Sequence, residues 1–560
     1  YNKGGGAQSV TLTFDTVDQF AGASLDRTVY PTGAQIHATI TDLWLNIDPT
    51  DEDSWTFSTN LANTTAKVDS IYQVFTENGD SGGTALSTRA TLGSLMCEDN
   101  CVLKVNPNVQ SATNNVLTIQ DNDDSILTNI NASLSTTDAG ANNATAFGVA
   151  AATGLLGQGS VPVTVTEQGP NSGVFGTYDE SDKSVLKITS NAARGTSASI
   201  DYNETPVTIL VGFDFGTIDI QATDDEWNSG EEIPVVLVDG DANKNSRSDE
   251  DLNLNDPTVT LIPSLRTGDP FTLGEGSNAT LATYANVTSD PVSGFTSISV
   301  NSTVGAGINA SPIADITVDS FSKIGRMQAS NSTAKGVNAI VIDYQTTLGD
   351  LRNTLGDTRS SATDRLQGFN FLNMDVRSFN STGTFDVWLL NHTANIIGTD
   401  GSISISGGLK VANDVSAQSG LISLNTTAIN AGIFNTNAAD SRIVGALILE
   451  DGASPTTGGY QTVSSTSDAD PIVLDFFSFG FKNDGLVTSE RIANQIVRIE
   501  AEETGDNTST FEGSLEYIMI NQLNIRDVNT YTGLTTIADD PSFIVIEDLT
   551  DEDSPRVNYL

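Results

Sequence analysis

Cysteine and histidine are nearly missing from this chain of 560 residues, which holds two of each: Cys97, Cys101, His37 and His392. Two thiols cannot close a four-cysteine zinc site, and two imidazoles add little to them. Nucleophile, base and orienting-group arrangements usually turn on a histidine. His37 lies on a strand whose repeat partner carries Pro234, and His392 sits inside "NHT", a glycosylation sequon. No P-loop or HExxH pair is present. Acids are everywhere, and spacing in sequence does not measure the distance between two carboxylates, so only a paired-carboxylate glycosidase keeps a formal place among enzymes. The expectation is a protein that is not an enzyme.

Basic residues are scarce as well. Lys plus Arg number 25 against 71 Asp plus Glu, a net charge of -46. Nucleic acid and anionic lipid both demand a basic footprint, so neither is expected as a partner, whereas cations are. Long apolar runs are absent too: the nearest, "AFGVAAATGLLGQGSVPV", is short and broken by glycine. The chain starts at "YNKGGG" without Met and stops at "RVNYL" in mid-pattern, which reads as a processed or excised piece. Any membrane association is expected to run through an anchor outside it. Aromatics are only 7% and fall mostly in strand patterns, which argues against an exposed aromatic platform of the kind a glycan-binding adhesin would show.

What is present is short alternation. "SVTLTFD", "AQIHATITD", "VPVTVTE", "SVLKITS", "SISIS" and "SFIVIED" are bounded by Gly, Asp, Asn or Pro, the pattern of half-buried antiparallel strands joined by turns. Helical periodicity is confined to 347–366 and to "SERIANQIVRIE" from Ser489. Cys97 and Cys101 in "CEDNC" are read as a disulfide closing a tight loop in an oxidising exterior, the alternative being two reduced thiols.

Two internal repeats carry the organisation. "YPTGAQIHATITDLWLNIDPTDEDSW" from Tyr30 aligns with "WNSGEEIPVVLVDGDANKNSRSDEDL" from Trp227, matching Gly33 to Gly230, Ile36 to Ile233, Asp42 to Asp239 and Asn46 to Asn243. After a one-residue gap, Asp51, Glu52 and Asp53 fall on Asp249, Glu250 and Asp251. A second motif, a strand ending in Glu and then a glycine turn, occurs at Glu77, Glu167 and Glu503 and reads as a hairpin corner. The fold class expected is all-β, as tandem immunoglobulin-like β-sandwich domains with an inserted or additional β-rich module. The pieces are 1–118 and 119–207, a discontinuous third sandwich of 208–269 with 475–540, and an inserted or separate module at 270–474. Because "TDEDS" at 50–54 returns at 550–554, a further truncated unit is expected over 541–560.

The acidic repeat is the candidate metal site. With Asp239 as position 1, Asp241, Asn243, Asn245 and Glu250 fall at 3, 5, 7 and 12, the spacing at which a calcium loop presents oxygens. Lys244 stands where such a loop needs Gly, and the flanks read as strands, so a helix-loop-helix sensor is excluded. A looser structural calcium site between strands is expected, drawing also on Asp249 and Asp251 and, in the first copy, on Asp42, Asp48, Asp51 and Asp53. The bland alternative is a solvated acidic turn that keeps strand edges from mispairing. Sequons place glycosylation candidates at Asn63, Asn131, Asn143, Asn203, Asn278, Asn286, Asn301, Asn309, Asn331, Asn380, Asn391, Asn425 and Asn507. A composition this rich in Asn, Ser and Thr produces about ten by chance, so their number argues nothing.

Taken together, "LDRTVYPTGAQIHATITD", "VDGDANKNSRSDEDL", "TEQGPNSGVF" and "FIVIEDLTDEDSPRVNYL" resemble the surface-layer (S-layer) proteins of ammonia-oxidising archaea of the thaumarchaeal Nitrosopumilus type. That resemblance implies immunoglobulin-like domains whose copies assemble, as a homo-oligomer, into a porous two-dimensional lattice on the cell surface, supported by glycans and divalent cations. Such proteins are usually far longer than this chain. Acid-lined pores would concentrate small cations, ammonium included. The alternative from another class is an extracellular adhesin or glycan-binding β-sandwich protein.

Overall fold

The computed structural model describes residues 9–11, 20–57, 69–74, 88–91, 103–106, 108, 116–120, 122, 163–221, 227–276, 279–287, 291, 314–329, 335–355, 369–398, 402–424, 440–452, 461–463, 469–481, 491–520, 527–546 and 556–560. Cys97, Cys101 and the Glu77 motif lie outside these residues. The chain is all-β, built from several sheets that pack around apolar cores. It divides into two units. Unit 1 comprises 1–216 with 239–250 and 503–510, and unit 2 comprises 217–238, 251–502 and 511–560.

Unit 1 contains β1 (Gly22–Leu25), β2 (Val29–Tyr30), β3 (Ala38–Thr41), β4 (Asp53–Phe57), β5 (Asp69–Val74), β6 (Thr88–Thr91), β7 (Leu103–Asn106), β8 (Leu117–Ile119), β9 (Val163–Glu167), β10 (Val174–Gly176), β11 (Leu186–Ile188), β12 (Ser197–Tyr202) and β13 (Thr205–Val211). A seven-stranded sheet runs β1-β3-β10-β9-β4-β5-β6, a four-stranded one runs β2-β13-β12-β7, and β11 pairs with β8. The alternation seen in sequence decides which side chains enter the core. Ala198, Ile200 and Tyr202 of β12 are buried and the residues between them only half so, as are Leu103 and Val105 of β7 between exposed neighbours. These meet Ile36, Trp55, Phe57 and Phe175 in one cluster. Each such aliphatic side chain contributes about 1.5–3 kcal/mol when fully buried. Asn203 and Glu204, both at positive φ, make the two-residue turn from β12 to β13.

The boundary expected between 118 and 119 does not separate two sandwiches. β9 pairs with β4, β10 with β3, and β12 with β7, so strands from both sides of it share sheets. Alternation reports which face of a strand is buried and not which distant strand lies beside it, so sequence order was mistaken for domain order.

Unit 2 combines segments far apart in sequence. One sheet joins Thr217–Ile220, Glu231–Val238, Thr510–Ile520, Ala501–Glu503 and Asp251–Leu252, with Ser542–Ile546 added parallel to Thr510–Ile520. The C-terminal residues therefore complete this unit where the start of another was expected: Ser542–Ile546 pairs there, and Val557–Asn558 pairs with Ser264–Thr267. Within 270–474, Ala339–Thr347 and Thr384–His392 flank Ile443–Glu450 in a five-stranded sheet and are buried on both faces. Ile340, Ile342 and Tyr344 enter one core, and Ala339 and Val341 enter another. A strand covered on both sides has no polar face, which is why this region showed so little alternation.

The helix expected near 347–366 is present as Leu348–Thr354, its first turn capped by the Thr347 hydroxyl, which accepts the Asp350 N–H at 3.0 Å. Within "SERIANQIVRIE", the described residues from Arg491 on are not helical. Arg491–Ile499 is a strand beside Asp470–Phe481 and Ser264–Thr267, because its β-branched Ile496, Val497 and Ile499 bury fully there. That strand carries the charged pair at the heart of unit 2. Arg498 Nη1 donates to Asp475 Oδ2 at 2.6 Å and Arg498 Nε to the Ser322 carbonyl at 2.7 Å, with both side chains wholly inaccessible. Burial pushes the Asp475 carboxyl up, opposed by Arg498 and by Asn373.

Candidate functional site

The aspartate repeat and the glutamate repeat, separate in sequence, form one motif in space, and unit 1 contains it twice. In the first corner, loop 42–53 leaves β3 and packs on the hairpin between β9 and β10. In the second, loop 239–250 packs on hairpin 503–510. The two corners share a set of equivalent bonds. Asp42 Oδ1 accepts the Trp44 N–H at 2.9 Å, as Asp239 Oδ1 accepts that of Asp241 at 2.8 Å. Asp42 N–H donates to the Gly173 carbonyl at 2.8 Å, and Asp239 N–H to that of Ser509 at 2.9 Å. Asn46 Nδ2 donates to Asn171 Oδ1 at 3.0 Å, and Asn243 Nδ2 to Asn507 Oδ1 at 3.2 Å. Asp48 Oδ1 accepts the Thr50 N–H at 3.0 Å, and Asn245 Oδ1 that of Arg247 at 3.1 Å.

The acid that ends each loop fixes the register. Asp53 Oδ2 accepts the N–H groups of Ile47 and Asp48, the latter at 3.0 Å. Glu250 Oε1 accepts those of Lys244, at 2.9 Å, and of Asn245. Asp53 therefore corresponds to Glu250 at the same offset that relates Asp42 to Asp239. The one-residue gap placed between the copies is absent, and Asp251 belongs to the strand after the loop, paired with Glu502. The extra methylene of Glu250 bridges the same two N–H groups, so an acid of different length at the same position was read as a shift.

The hairpin glutamate ties each corner together. Glu167 Oε1 accepts the Gly173 N–H at 2.8 Å, and its Oε2 accepts the Asp53 N–H at 3.2 Å. Glu503 Oε1 accepts the Ser509 N–H at 2.6 Å and Asn243 Nδ2 at 2.9 Å, and its Oε2 accepts the Glu250 N–H at 3.3 Å. Both glutamates are buried. A carboxylate accepting several backbone N–H groups is a strong, charge-assisted cap. The Glu motif is legible in sequence as a hairpin corner, and order along the chain gives Glu77 as the motif after the first acidic loop and Glu503 as the motif after the second; Glu503 does hold the second loop, whereas the first is held by Glu167.

The expected metal ligands thus hold mainly backbone N–H groups. Asp42 also accepts the Tyr202 hydroxyl at 2.5 Å, Asp48 the Thr50 hydroxyl at 2.6 Å, and the Asp241 carboxylate the Asp214 N–H at 3.1 Å. Asp249 is exposed, and Asp51 is half-buried with its N–H on the Asp48 carbonyl. Among the described residues, no group of three or more His, Cys, Asp and Glu side chains is placed to hold a metal ion. The oxygens that calcium spacing suggested are brought near one another, but those with recorded partners accept protein N–H and O–H groups.

Glu250 has a strongly perturbed proton affinity. Burial first, and then the Glu503 carboxyl beside it, pushes Glu250 from 4.5 up to about 8, against the pull of the Asn245 and Lys244 N–H groups. Its Oε2 is shut off from water without a partner. Because the folded state holds this proton more tightly than the unfolded chain, its contribution is complete below about pH 4.5 and is lost as pH rises toward 8. The residue is half-buried, so the expected loss in unit 1 is roughly 2 kcal/mol. Urea unfolding of the chain and of Glu250→Gln from pH 5 to 9 checks this: the variant's stability should be flatter with pH, and parallel profiles would refute it.

Of the described sequons, Asn286 and Asn391 are buried, and Asn203, Asn286 and Asn380 donate Nδ2 to Ala21 O, Gly336 O and Glu450 Oε1. Asn507 is exposed, on the second corner's hairpin. Asn63, Asn131, Asn143, Asn278, Asn301, Asn309, Asn331 and Asn425 lie outside the described residues. His37 is buried, with Nε2 3.1 Å from the Asp182 carbonyl and Nδ1 3.1 Å from Ser246 Oγ. No described helix is long and apolar enough to cross a membrane. No protein-family model matches the chain, and no curated protein matches it.

Proposed function

We propose that this chain is a structural protein of an archaeal cell-surface layer, assembled from immunoglobulin-like β modules into a porous, negatively charged two-dimensional lattice. The observation that carries the reading is the repeated corner. Two copies spend their acids on holding a loop to a hairpin, the use expected of a module repeated for mechanical service. The net charge of -46 supplies the rest. Pores walled by such surfaces attract small cations such as ammonium and repel anions. Screening limits that reach to about 8 Å at physiological salt, so only narrow pores would select. Calcium acts in this reading on the exposed acids, relieving repulsion where modules meet. The modules lie outside the cell, and glycans sit on exposed sequons such as Asn507.

Electron microscopy of the purified chain with calcium, and again after chelation, tests the proposal. Extended sheets that disperse on chelation are expected. Discrete particles under both conditions would favour the adhesin reading instead.

A further inference from the structure

Loop 239–250 is held within unit 1 by more than its corner. Arg27 Nη1 and Nη2 donate to the Asn243 carbonyl and Oδ1 at 3.1 and 2.8 Å, and the Gln35 N–H donates to the Lys244 carbonyl at 2.7 Å. Leu43 and Ile47 of loop 42–53, by contrast, are exposed. A further tie runs from Ser246 to His37, a residue only 3% exposed.

The hydrogens at that tie do not suffice while the imidazole is neutral. His37 Nε2 lies 3.1 Å from the Asp182 carbonyl, which can only accept, so Nε2 carries a hydrogen. A neutral ring then leaves Nδ1 as an acceptor, 3.1 Å from Ser246 Oγ. Ser246 has one hydroxyl hydrogen, and Asp26 Oδ2 lies 2.5 Å from the same oxygen. Two oxygens at that distance need the hydrogen between them. Oγ and Nδ1 are then left facing each other lone pair to lone pair. A proton on Nδ1 removes the conflict: the imidazolium donates to Ser246 Oγ and faces Asp26 Oδ2 at 3.7 Å.

Asp26 is built to remain a carboxylate. Its Oδ1 accepts the Tyr30 hydroxyl at 2.5 Å and the His37 N–H at 3.2 Å, and its Oδ2 accepts Arg27 Nε at 3.3 Å. Burial pushes the carboxyl up, but hydrogen bonds from His37, Ser246 and Tyr30 outweigh it and hold Asp26 below its ordinary value. Of the other groups around the ring, Tyr178 stands edge-on with its centroid 5.2 Å away. Arg247, 4.2 Å from the Tyr178 centroid, donates Nε to Asp182 Oδ1 at 2.6 Å, so its charge is already paired.

We propose that His37, Ser246 and Asp26 form a proton-operated latch: a proton bound at His37 Nδ1 fastens loop 239–250 to segment 26–37, and its loss loosens the loop. The docked loop favours the protonated ring. Its contribution is therefore complete on the acid side of the range in which histidine ordinarily titrates, about pH 6.5, and is lost as pH rises. The inference stands on the count of hydrogens and is independent of the lattice reading.

Glu250 titrates on the same loop, so the test is run in Glu250→Gln, where that side chain is neutral throughout. From about pH 5 to 9, protection of the Gln35 amide, corrected for intrinsic exchange, should fall roughly 10- to 100-fold, the scale of a hydrogen bond to a charged group. The Ile36 amide, held by the Leu186 carbonyl at 2.9 Å, should change far less. Nitrogen-15 resonances of the His37 ring should show hydrogen on both nitrogens at the acid end and loss from Nδ1 in step with Gln35. Adding His37→Gln, which takes up no proton, should make Gln35 protection flat with pH, and adding Ser246→Ala should do so while the ring still titrates. Unchanged Gln35 protection across the range overturns the proposal, whatever the ring does. So does a docked loop whose His37 carries a single ring hydrogen at the acid end. Both results are read with His37 and Ser246 in place, so the test stands even where an added variant fails to fold.

Discussion

Replacing Arg498 by alanine is expected to cost unit 2 about 3–5 kcal/mol, because it strands a buried carboxylate. The guanidinium donates to both Asp475 oxygens, at 2.6 and 3.3 Å, and to the Ser322 carbonyl, and no part of either side chain reaches water. Alanine removes all of these donors at once. Asn373 Nδ2, 3.4 Å from Asp475 Oδ2, is left as the nearest compensation, and the Asn373 oxygen is already held by the Thr536 hydroxyl at 2.6 Å. Asp475 would then bind a proton, and burial already pushes it in that direction. Removing both charges is a different perturbation: Arg498→Met with Asp475→Leu should recover much of the loss, since desolvating two ions offsets most of their attraction. Chemical denaturation of the two variants measures this. A single variant within about 1 kcal/mol of the parent would show that the pair is not buried as described.

Glu167→Ala is expected to destabilise unit 1 by about 3 kcal/mol, through two buried N–H groups left without an acceptor. They belong to Gly173 in the hairpin and Asp53 at the end of the loop, so one truncation loosens both halves of the corner. Glu167→Gln keeps the shape and one acceptor oxygen, and should cost about 1 kcal/mol. Glu503→Ala should behave similarly in the second corner, where the Ser509 and Glu250 N–H groups lose their acceptor and Asn243 Nδ2 keeps only Asn507 Oδ1. Urea midpoints and amide exchange at Gly173 and Ser509 report it. If Glu167→Ala unfolds like the parent and Gly173 stays protected, the glutamate does not hold the corner.

The candidate site was half visible in the sequence. Asp42 and Asp239 announced themselves as a repeat because their neighbours Gly33 and Gly230, and Asn46 and Asn243, agree at one spacing. The Glu167 and Glu503 hairpins announced themselves by strand, acid and glycine in succession, with Gly169 and Gly505 both at positive φ. What was hidden is that the second motif is the acceptor for the first. The same oxygens that fit a cation's spacing also fit N–H groups, and only coordinates say which of the two they face. "IVRIE" fits both a helical period and the alternating strand before Glu503, and neither reading says that its arginine points inward to Asp475.

By itself the sequence determined the chemistry of local structure: alternation made strands, Gly and Asn made turns, and the excess of acids set the charge, because each of these depends on residues close in the chain. Only the tertiary structure decided which strands share a sheet, which acids cap backbone rather than face solvent, and which of two matching loops is covered. Those outcomes depend on pairing across long loops, whose closure entropy grows only slowly with length and therefore leaves little trace in the local sequence.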